Sequence, residues 1–368
     1  MLLAVCVLLT HSASKDLPHL LGTFAVESFF VISGFYMALV LTEKYTRGNL
    51  GDSWAANFYL SRYLRLYPVY MLSVAAVSLA GFAAVLFGNG STLFAAWTQL
   101  LSLPHTVRNV QLIIWALVSN LTIFFNDLVL VIAVHDHQAV LTTDQSLTQI
   151  NPAALTANVV AWSLGVELTF YLLAPYLLKT TNRQLFGLLL LGAALKTWAI
   201  IHIDGDLPYR LFPFVFVDFL CGVLAYRFRS VLSSFGCKYA PLVCYCLMFA
   251  LLFALPTGLR YWEYSFLTIG VTALILPTLI NCSGSSHIDN RLAEFSYPFY
   301  LFHPLALNLV HSILIKRAAI TNGYFIFACE TALTLAFASL ALSLEARYVE
   351  PYRQRLGRPR VTLSVAAQ

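Results

Sequence analysis

Two apolar segments of the chain contain carboxylate, imidazole and hydroxyl groups at helical spacing, and these groups could move protons. In the first segment, residues 162–171, a helix would place Ser163, Glu167 and Tyr171 on one face. Pro175 cannot donate a backbone hydrogen bond to the Tyr171 carbonyl, so an acceptor is left nearby. A carboxyl group buried in lipid must be paired or protonated. Glu167 is therefore either a catalytic group or one partner in a helix-to-helix hydrogen bond.

The second segment, residues 296–304, contains a histidine between two prolines. A helix would place Ser296, Tyr300 and His303 on one face, and Pro304 would free the Tyr300 carbonyl. Histidine titrates near neutrality and is suited to general acid–base chemistry. The alternative is a core histidine that is hydrogen-bonded to a carbonyl group.

Two arginines could bind an anion. Arg62 and Arg65 are three residues apart on a short amphipathic stretch, residues 55–66. Paired guanidinium groups can hold phosphates through forked hydrogen bonds. The alternative is that both side chains extend toward the membrane interface, as arginines near helix ends commonly do.

The composition shows what kind of protein must position these groups. Of 368 residues, 59% are hydrophobic and 11% are charged, whereas soluble domains carry about 25% charged residues. So few charges cannot cover the surface of a soluble protein of this size. The composition indicates an all-α polytopic membrane protein. It excludes a disordered chain, a basic nucleic-acid-binding domain and a disulfide-linked secreted module.

Cysteine and histidine patterns predict neither a metal site nor a bound cofactor. The seven cysteines include no C-x-x-C pair, and nearly all lie in or beside apolar runs. His135, Asp136 and His137 resemble a ligand cluster, but they have no partner Cys or His at ligand spacing. A solvated loop is favoured over a metal site.

Eleven apolar runs are candidates for membrane spans, since a helix needs about 20 apolar residues to cross about 30 Å of hydrocarbon. They are residues 1–13, 24–41, 67–87, 111–134, 159–178, 185–203, 209–227, 239–255, 264–280, 295–315 and 324–344.

The loop charges reduce this count to ten. Basic residues mark the cytoplasmic side, and all basic clusters fall on one side only if the run 111–134 does not cross. That run also contains Asn120, Asn126 and Asp127, which are costly in lipid. We therefore predict ten transmembrane helices, one re-entrant or interfacial segment at 111–134, and cytoplasmic termini. The basic clusters are Lys44, Arg47, Arg62 and Arg65; Lys179 and Arg183; Arg227, Arg229 and Lys238; and Arg347, Arg353, Arg355, Arg358 and Arg360. Lys316 and Arg317 fall outside, against the rule.

The first run is short for a span. Its 13 residues form about 20 Å of helix before the polar sequence that begins at His11. A signal peptide is one interpretation, but no basic segment or clear cleavage site accompanies it. We expect instead that the first helix begins upstream of Met1. The predicted domains are an integral membrane domain at 1–345 and a basic cytoplasmic tail at 346–368.

Four motifs in this order resemble the acyltransferase-3 family of bacterial multi-pass membrane O-acyltransferases. Residues 29–35, FFVISGF, resemble the signature of the family's second helix. Arg62-x-x-Arg65, followed by Leu-Tyr-Pro, resembles its R-x-x-R element. The segment 162–171 is similar to its W-S-L-x-V-E-x-x-F-Y stretch, and residues 297–304 are similar to its late tyrosine and histidine block. The resemblance covers nearly the whole chain.

The resemblance implies an O-acetylation reaction at the bacterial plasma (inner) membrane. The donor would be an acyl-CoA, usually acetyl-CoA, used as a co-substrate, and the acceptor a hydroxyl of a glycan or lipid-linked saccharide such as lipopolysaccharide or exopolysaccharide. In the family's first helix, an arginine is followed eleven positions later by a histidine that is thought to be catalytic. His11 fits this histidine, and the arginine would fall just before Met1. No nucleic-acid partner is implied.

The residues can be given roles on this basis. Arg62 and Arg65 would bind the donor, and His11 would act as general base, with Glu167 and His303 as further catalytic groups. The acceptor path would include Ser163, Tyr171, Tyr297 and Tyr300. An acyl-histidine intermediate is the competing chemistry.

Two other classes of function remain as alternatives. A polysaccharide or lipid-linked sugar transporter would often show paired broken helices, and the interruption at 111–134 has no second copy. A membrane scaffold or sensor would not need Glu167 and His303 inside the membrane.

Overall fold

A computed structural model describes residues 1–12, 14, 17, 22–88, 90–233, 243, 246, 262–283 and 287–357, which are mostly helical. In chain order the elements are α1 (Leu2–His11), α2 (Gly22–Glu43), α3 (Arg47–Leu50), α4 (Trp54–Leu86), α5 (Thr92–Leu101), α6 (Val107–Thr122), β1 (Ile132–His135), β2 (Gln138–Leu141), α7 (Trp162–Leu177), α8 (Asn182–His202), α9 (Leu207–Arg210), α10 (Phe212–Arg227), α11 (Arg229–Leu232), α12 (Trp262–Ser283), α13 (His287–Val310), α14 (Gly323–Tyr348) and α15 (Glu350–Leu356).

In the described residues, six helical segments are long and apolar enough to cross a membrane. They are Gly22–Glu43, Arg47–Leu86, Asn182–His202, Tyr264–Asn281, Arg291–Ile315 and Gly323–Tyr348.

The prediction of an all-α membrane protein is confirmed. The count of ten spans and the cytoplasmic termini stay predictions, and the expected span at 239–255 lies outside the described residues apart from Val243 and Cys246. The domain division at residue 345, which falls within α14, also stays a prediction.

The bundle has two ends that are defined by contacts between helices. At one end, the last turn of α1 contacts the first residue of α2. A Cβ atom on Gly22 would lie 3.0 Å from the side chain of Thr10. At the other end, the Tyr226 hydroxyl of α10 donates a hydrogen bond to Glu43 of α2. We call these the histidine end, after His11, and the arginine end, after Arg62.

Helices α2 and α10 run in the same direction with their backbones in contact. A Cβ atom on Gly34 would lie 2.1 Å from the Phe219 carbonyl oxygen, and one on Gly222 would lie 2.0 Å from the Val31 carbonyl oxygen. Small residues allow such close approach where lipid removes the hydrophobic drive for helix association. Phe30 stacks on Phe219 beside this contact, with ring centroids 4.9 Å apart.

The run 111–134 does not form one straight helix. Helix α6 ends at Thr122, and Ile123 and Phe125 adopt positive φ angles of 71° and 57°. A 3₁₀ segment (Asn126–Val131) and the antiparallel hairpin β1–β2 follow, with Ile132 paired to Leu141. This division agrees with the prediction that the run is not an ordinary span, and its depth in the membrane stays a prediction.

The region between α4 and α7 is tied to the bundle through Asp127. The carboxylate of Asp127 accepts a hydrogen bond of 3.1 Å from the Phe212 amide, at the first residue of α10. Burial raises the pKa of the Asp127 carboxyl to about 6. The backbone of Asn126 also packs on Gly165 of α7, where an added Cβ would lie 2.7 Å from the Asn126 nitrogen.

His135 ends β1, and Asp136 and His137 form the turn of the hairpin with positive φ angles; all three residues are exposed. In the part of the chain that the structure describes, no group of three or more His, Cys, Asp or Glu side chains could hold a metal ion.

The contact between α2 and α10 leads to a prediction about folding. Gly222→Ala places a methyl group against the Val31 carbonyl, and overpacking of this kind typically costs about 1–3 kcal/mol. We expect a marked fall in the thermal unfolding midpoint of the detergent-solubilised protein.

The matched control is Gly187→Ala in α8, where an added Cβ meets nothing within 4 Å. There the better helix propensity of alanine should leave stability equal or higher. Equal midpoints for the two variants would show that the α2–α10 contact can open without cost.

Candidate active site

Two histidines that are far apart in sequence meet at the histidine end. His11 is the last residue of α1, and His303 lies in α13 between Pro298 and Pro304. Their ring centroids are 5.3 Å apart. His303 is 1% exposed. The sequence predicted each residue separately, and the fold brings them into one pair.

A backbone carbonyl fixes the tautomer of each neutral ring. His11 Nδ1 is 2.9 Å from the Val7 carbonyl oxygen, and His303 Nδ1 is 2.6 Å from the Tyr300 carbonyl oxygen. A carbonyl oxygen can only accept, so Nδ1 carries the proton in both rings, and the neutral Nε2 keeps its lone pair. The Tyr300 carbonyl is the acceptor that Pro304 was expected to free. The site therefore contains two imidazole bases.

A cavity of about 600 Å³ contains both histidines. This volume is within the range of sites for small ligands. Aromatic residues supply much of its wall, and polar residues from α1, α2, α9 and α13 complete it. The aromatic residues are Phe24, Trp162, Tyr209, Tyr264 and Tyr300, and the polar ones include Thr10, Thr23, Asp206, Arg210 and Asn308.

Ser163 and Tyr300 connect α7 to α13 at this cavity. The two hydroxyl oxygens are 2.9 Å apart, and both residues are buried. Asn158 supports the same stretch of α13 by donating a hydrogen bond of 2.9 Å to the Leu301 carbonyl. The predicted acceptor-path residues Ser163 and Tyr300 therefore lie with the histidines.

Glu167 and Tyr171 form a separate group that does not line this cavity. The Tyr171 hydroxyl donates a hydrogen bond to Glu167 Oε1, and Ser33 of α2 donates to the same oxygen at 3.0 Å. The predicted face of α7 is therefore divided, because Ser163 turns toward Tyr300 while Glu167 and Tyr171 bond to each other. Glu167 has the helix-to-helix hydrogen bond that the alternative interpretation expected.

Arg62 lies beside Tyr171 at the arginine end. It lines a largely apolar pocket of about 380 Å³ together with Tyr171, Tyr63 and Phe124. Its guanidinium carbon is 5.9 Å from the centroid of the Tyr45 ring, and its buried Nε atom has no hydrogen-bond partner among the described residues. Arg62 therefore keeps unused donor capacity.

Arg65 lies on the same helix, near Tyr297 and Glu345. Electrostatic interactions link it to both residues. The Tyr297 hydroxyl donates a hydrogen bond of 2.6 Å to the Leu66 carbonyl and so joins α13 to α4. Tyr297 is thus at the arginine end, apart from the histidine cavity.

The sequence reasoning missed a buried ion cluster. Lys196 Nζ of α8 is 2.6 Å from Glu27 Oε1 of α2 and 2.9 Å from Asp218 Oδ1 of α10, and all three side chains are fully buried. Ser265 of α12 donates a hydrogen bond of 2.6 Å to Glu27 Oε1. The signal was present, because each charge stands inside a predicted apolar run.

A second missed carboxylate lies next to His11. The Ser12 hydroxyl donates a hydrogen bond of 2.5 Å to Glu330 Oε2 of α14. Ser12 follows His11 directly and closes α1, since its amide bonds to the Leu9 carbonyl. Glu330 therefore fixes the end of the helix that positions His11.

The described residues contain six helices long and apolar enough to cross a membrane, which places the protein in the class of multi-pass membrane proteins. The chain belongs to the acyltransferase-3 family, since the model of that family, described as an acyltransferase domain, matches residues 1–342. It is therefore a membrane acyltransferase.

One curated relative extends the comparison. An uncharacterized protein from Aquifex aeolicus (strain VF5) is 25% identical over 195 residues, which is 51% of this chain and 82% of that protein. No solved structure matches the chain.

The ion cluster leads to a stability prediction. Lys196→Met removes the cation and leaves two carboxyl groups buried together, and breaking a buried ion pair typically costs about 3–5 kcal/mol. We expect a large fall in the thermal unfolding midpoint in detergent. Lys179→Met is the matched control, because Lys179 is exposed at the end of α7. If both variants unfolded at the same temperature, the cluster would not stabilise the bundle.

Proposed function

We propose that the protein transfers an acyl group, most simply acetyl, from cytoplasmic acyl-CoA to a hydroxyl of a cell-surface or exported carbohydrate. The proposal places it in the bacterial inner membrane, with the arginine end facing the cytoplasm. The observation that carries it is the pair of histidines, each with a basic Nε2, in a cavity of about 600 Å³. A family of acyltransferases supplies the reaction type.

His11 acts as the general base in this proposal. A sugar hydroxyl has too high a pKa to attack a thioester unaided, so a base must take its proton as the bond forms. His11 Nε2 receives that proton while the hydroxyl oxygen bonds to the thioester carbonyl carbon. The C–S bond then breaks, and the imidazolium returns the proton to the thiolate. The products are an ester and free CoA, with no net proton change.

His303 and Tyr300 orient the acceptor. Neutral His303 presents a lone pair at Nε2, so it accepts a hydrogen bond from the substrate and does not stabilise an oxyanion. Tyr300 has a hydroxyl group at the cavity wall, next to Ser163. Ser163 donates its own proton to the Val160 carbonyl, so Tyr300 donates to Ser163 and would turn that proton toward the developing negative charge during the reaction.

Arg62 and Arg65 hold the phosphates of the donor. In the described residues neither arginine forms an ion pair with a carboxylate. Burial makes an unpaired guanidinium costly, and a phosphate would restore its hydrogen bonds. Tyr171 shares the pocket of Arg62, and Glu167 bonds to Tyr171, so these side chains are the first that the thioester would meet beyond the arginines. Tyr297 joins α13 to α4 at the same end.

The reaction is tested with membranes that contain the protein, labelled acetyl-CoA and the membrane glycan. We expect label in the glycan, and His11→Ala should lower the initial rate by at least about 100-fold, the lower range for a general base. The matched control is His202→Ala, since His202 also bonds through Nδ1 to a carbonyl of its own helix but is exposed. An unchanged rate in His11→Ala would remove His11 from the mechanism. Glycan movement without labelling would favour a transporter.

The donor site gives a separate prediction. Arg62→Ala with Arg65→Ala should raise the acetyl-CoA concentration for half-maximal rate by about 10-fold or more, because a hydrogen bond to a charged group is worth about 1.5–3 kcal/mol. Arg183→Ala, an exposed change at the start of α8, should leave it unaltered. An unchanged donor dependence in the double variant would return both arginines to an interfacial role.

A further inference from the structure

The rim of the histidine cavity contains an ion pair that the transfer reaction does not use. Asp206 and Arg210 both line the cavity. Arg210 Nη2 donates a hydrogen bond of 2.7 Å to Asp206 Oδ2. Both charges act electrostatically on His11, so the pair is close to the reacting end of the cavity.

The guanidinium of Arg210 is held in a fixed position. Its carbon is 5.2 Å from the ring centroid of Tyr209 and 5.6 Å from that of Trp162, and its Nε donates a hydrogen bond of 3.0 Å to the Tyr209 hydroxyl. The side chain is 20% exposed. An exposed ion pair usually loses much of its interaction energy to side-chain entropy. Here the aromatic rings have already ordered the cation, which favours ligand recognition.

The chemistry of the pair indicates the kind of ligand. Among the residues that the structure describes, the hydrogen bonds of Arg210 use Nε and Nη2, which leaves the Nη1 donors. The side chain of Asp206 is 58% exposed and keeps acceptor capacity. Donor and acceptor side by side match two adjacent hydroxyl groups, since each hydroxyl both donates and accepts. The carboxylate also cancels the arginine charge, so an anionic ligand gains little from this site.

We infer that Asp206 and Arg210 form the acceptor subsite, where they bind adjacent hydroxyls of an uncharged sugar and thereby select the hydroxyl that reaches His11. The inference rests on the proposed acyl transfer to carbohydrate. It adds the class of acceptor, a neutral sugar residue with a vicinal diol, and the residues that recognise it.

The test uses the full protein in membranes with labelled acetyl-CoA and the membrane glycan of the producing bacterium. Arg210→Lys and Asp206→Asn should each raise the glycan concentration for half-maximal labelling by at least ten-fold. The dependence on acetyl-CoA concentration should stay that of the wild type. Mass spectrometry of the labelled residue should identify a neutral sugar that carries free hydroxyls next to one another.

Arg229→Lys is the matched control. Arg229 also lies over an aromatic ring, 3.9 Å from the Tyr226 centroid, and faces a carboxylate, 3.8 Å from Glu43, but at the arginine end. This variant should leave the glycan dependence unaltered. Thermal unfolding of all three variants identifies any loss that comes from misfolding, and the Asp206→Asn variant tests the subsite if Arg210→Lys does not fold.

The outcomes separate the two proposals. If the wild type labels no glycan, the proposed function is wrong and the subsite falls with it. If the wild type labels glycan but both subsite variants keep the wild-type glycan dependence, only the subsite is wrong. A labelled uronic acid or other acidic sugar would also overturn the subsite while leaving acyl transfer intact.

Discussion

The buried contact of Lys196 with Glu27 and Asp218 is the constraint on which the arrangement of the other helices depends. Lipid offers no water to a separated charge, so the three side chains must stay together. They fix α2 against α8 and α10, and Ser265 adds α12 through Glu27. Glycine contacts then bring the backbones of α2 and α10 together. Helix α2 is thereby the central element of the bundle.

The histidine cavity follows from this central helix. Val26, which precedes Glu27, and Tyr264, which precedes Ser265, both line the cavity. Glu27 and Ser265 thus hold the helices together, and the residues that precede them in sequence form part of the cavity wall. Ser33 of the same helix bonds to Glu167 of α7. A shift of α2 would therefore alter both the cavity and the carboxylate beside the arginines.

Sequence patterns identified candidate reactive side chains, but they did not identify the partners of those side chains. Proline chemistry correctly indicated a free Tyr300 carbonyl, but the contact of His303 with His11 joins residues that local spacing cannot relate. Ser163, Glu167 and Tyr171 do not share one set of partners, because each step of four residues along a helix advances about 40° beyond a full turn. Ser163 and Tyr171 therefore point in directions that differ by about 80°. The charges at Glu27, Lys196 and Asp218 were visible as intramembrane residues, but only the fold shows that they pair. The ten expected spans include a run outside the described residues, so the loop charges remain the argument for that number.

The position of His11 depends on a contact beyond its own helix. Helix α1 ends at His11, so the residues that follow it decide where the imidazole lies. The hydrogen bond from Ser12 to the buried Glu330 fixes the chain directly after His11. The acceptor lies on α14, which packs along α13. Because α13 contains His303, the two histidines are held through neighbouring helices, and the 5.3 Å between their rings is a property of the whole bundle.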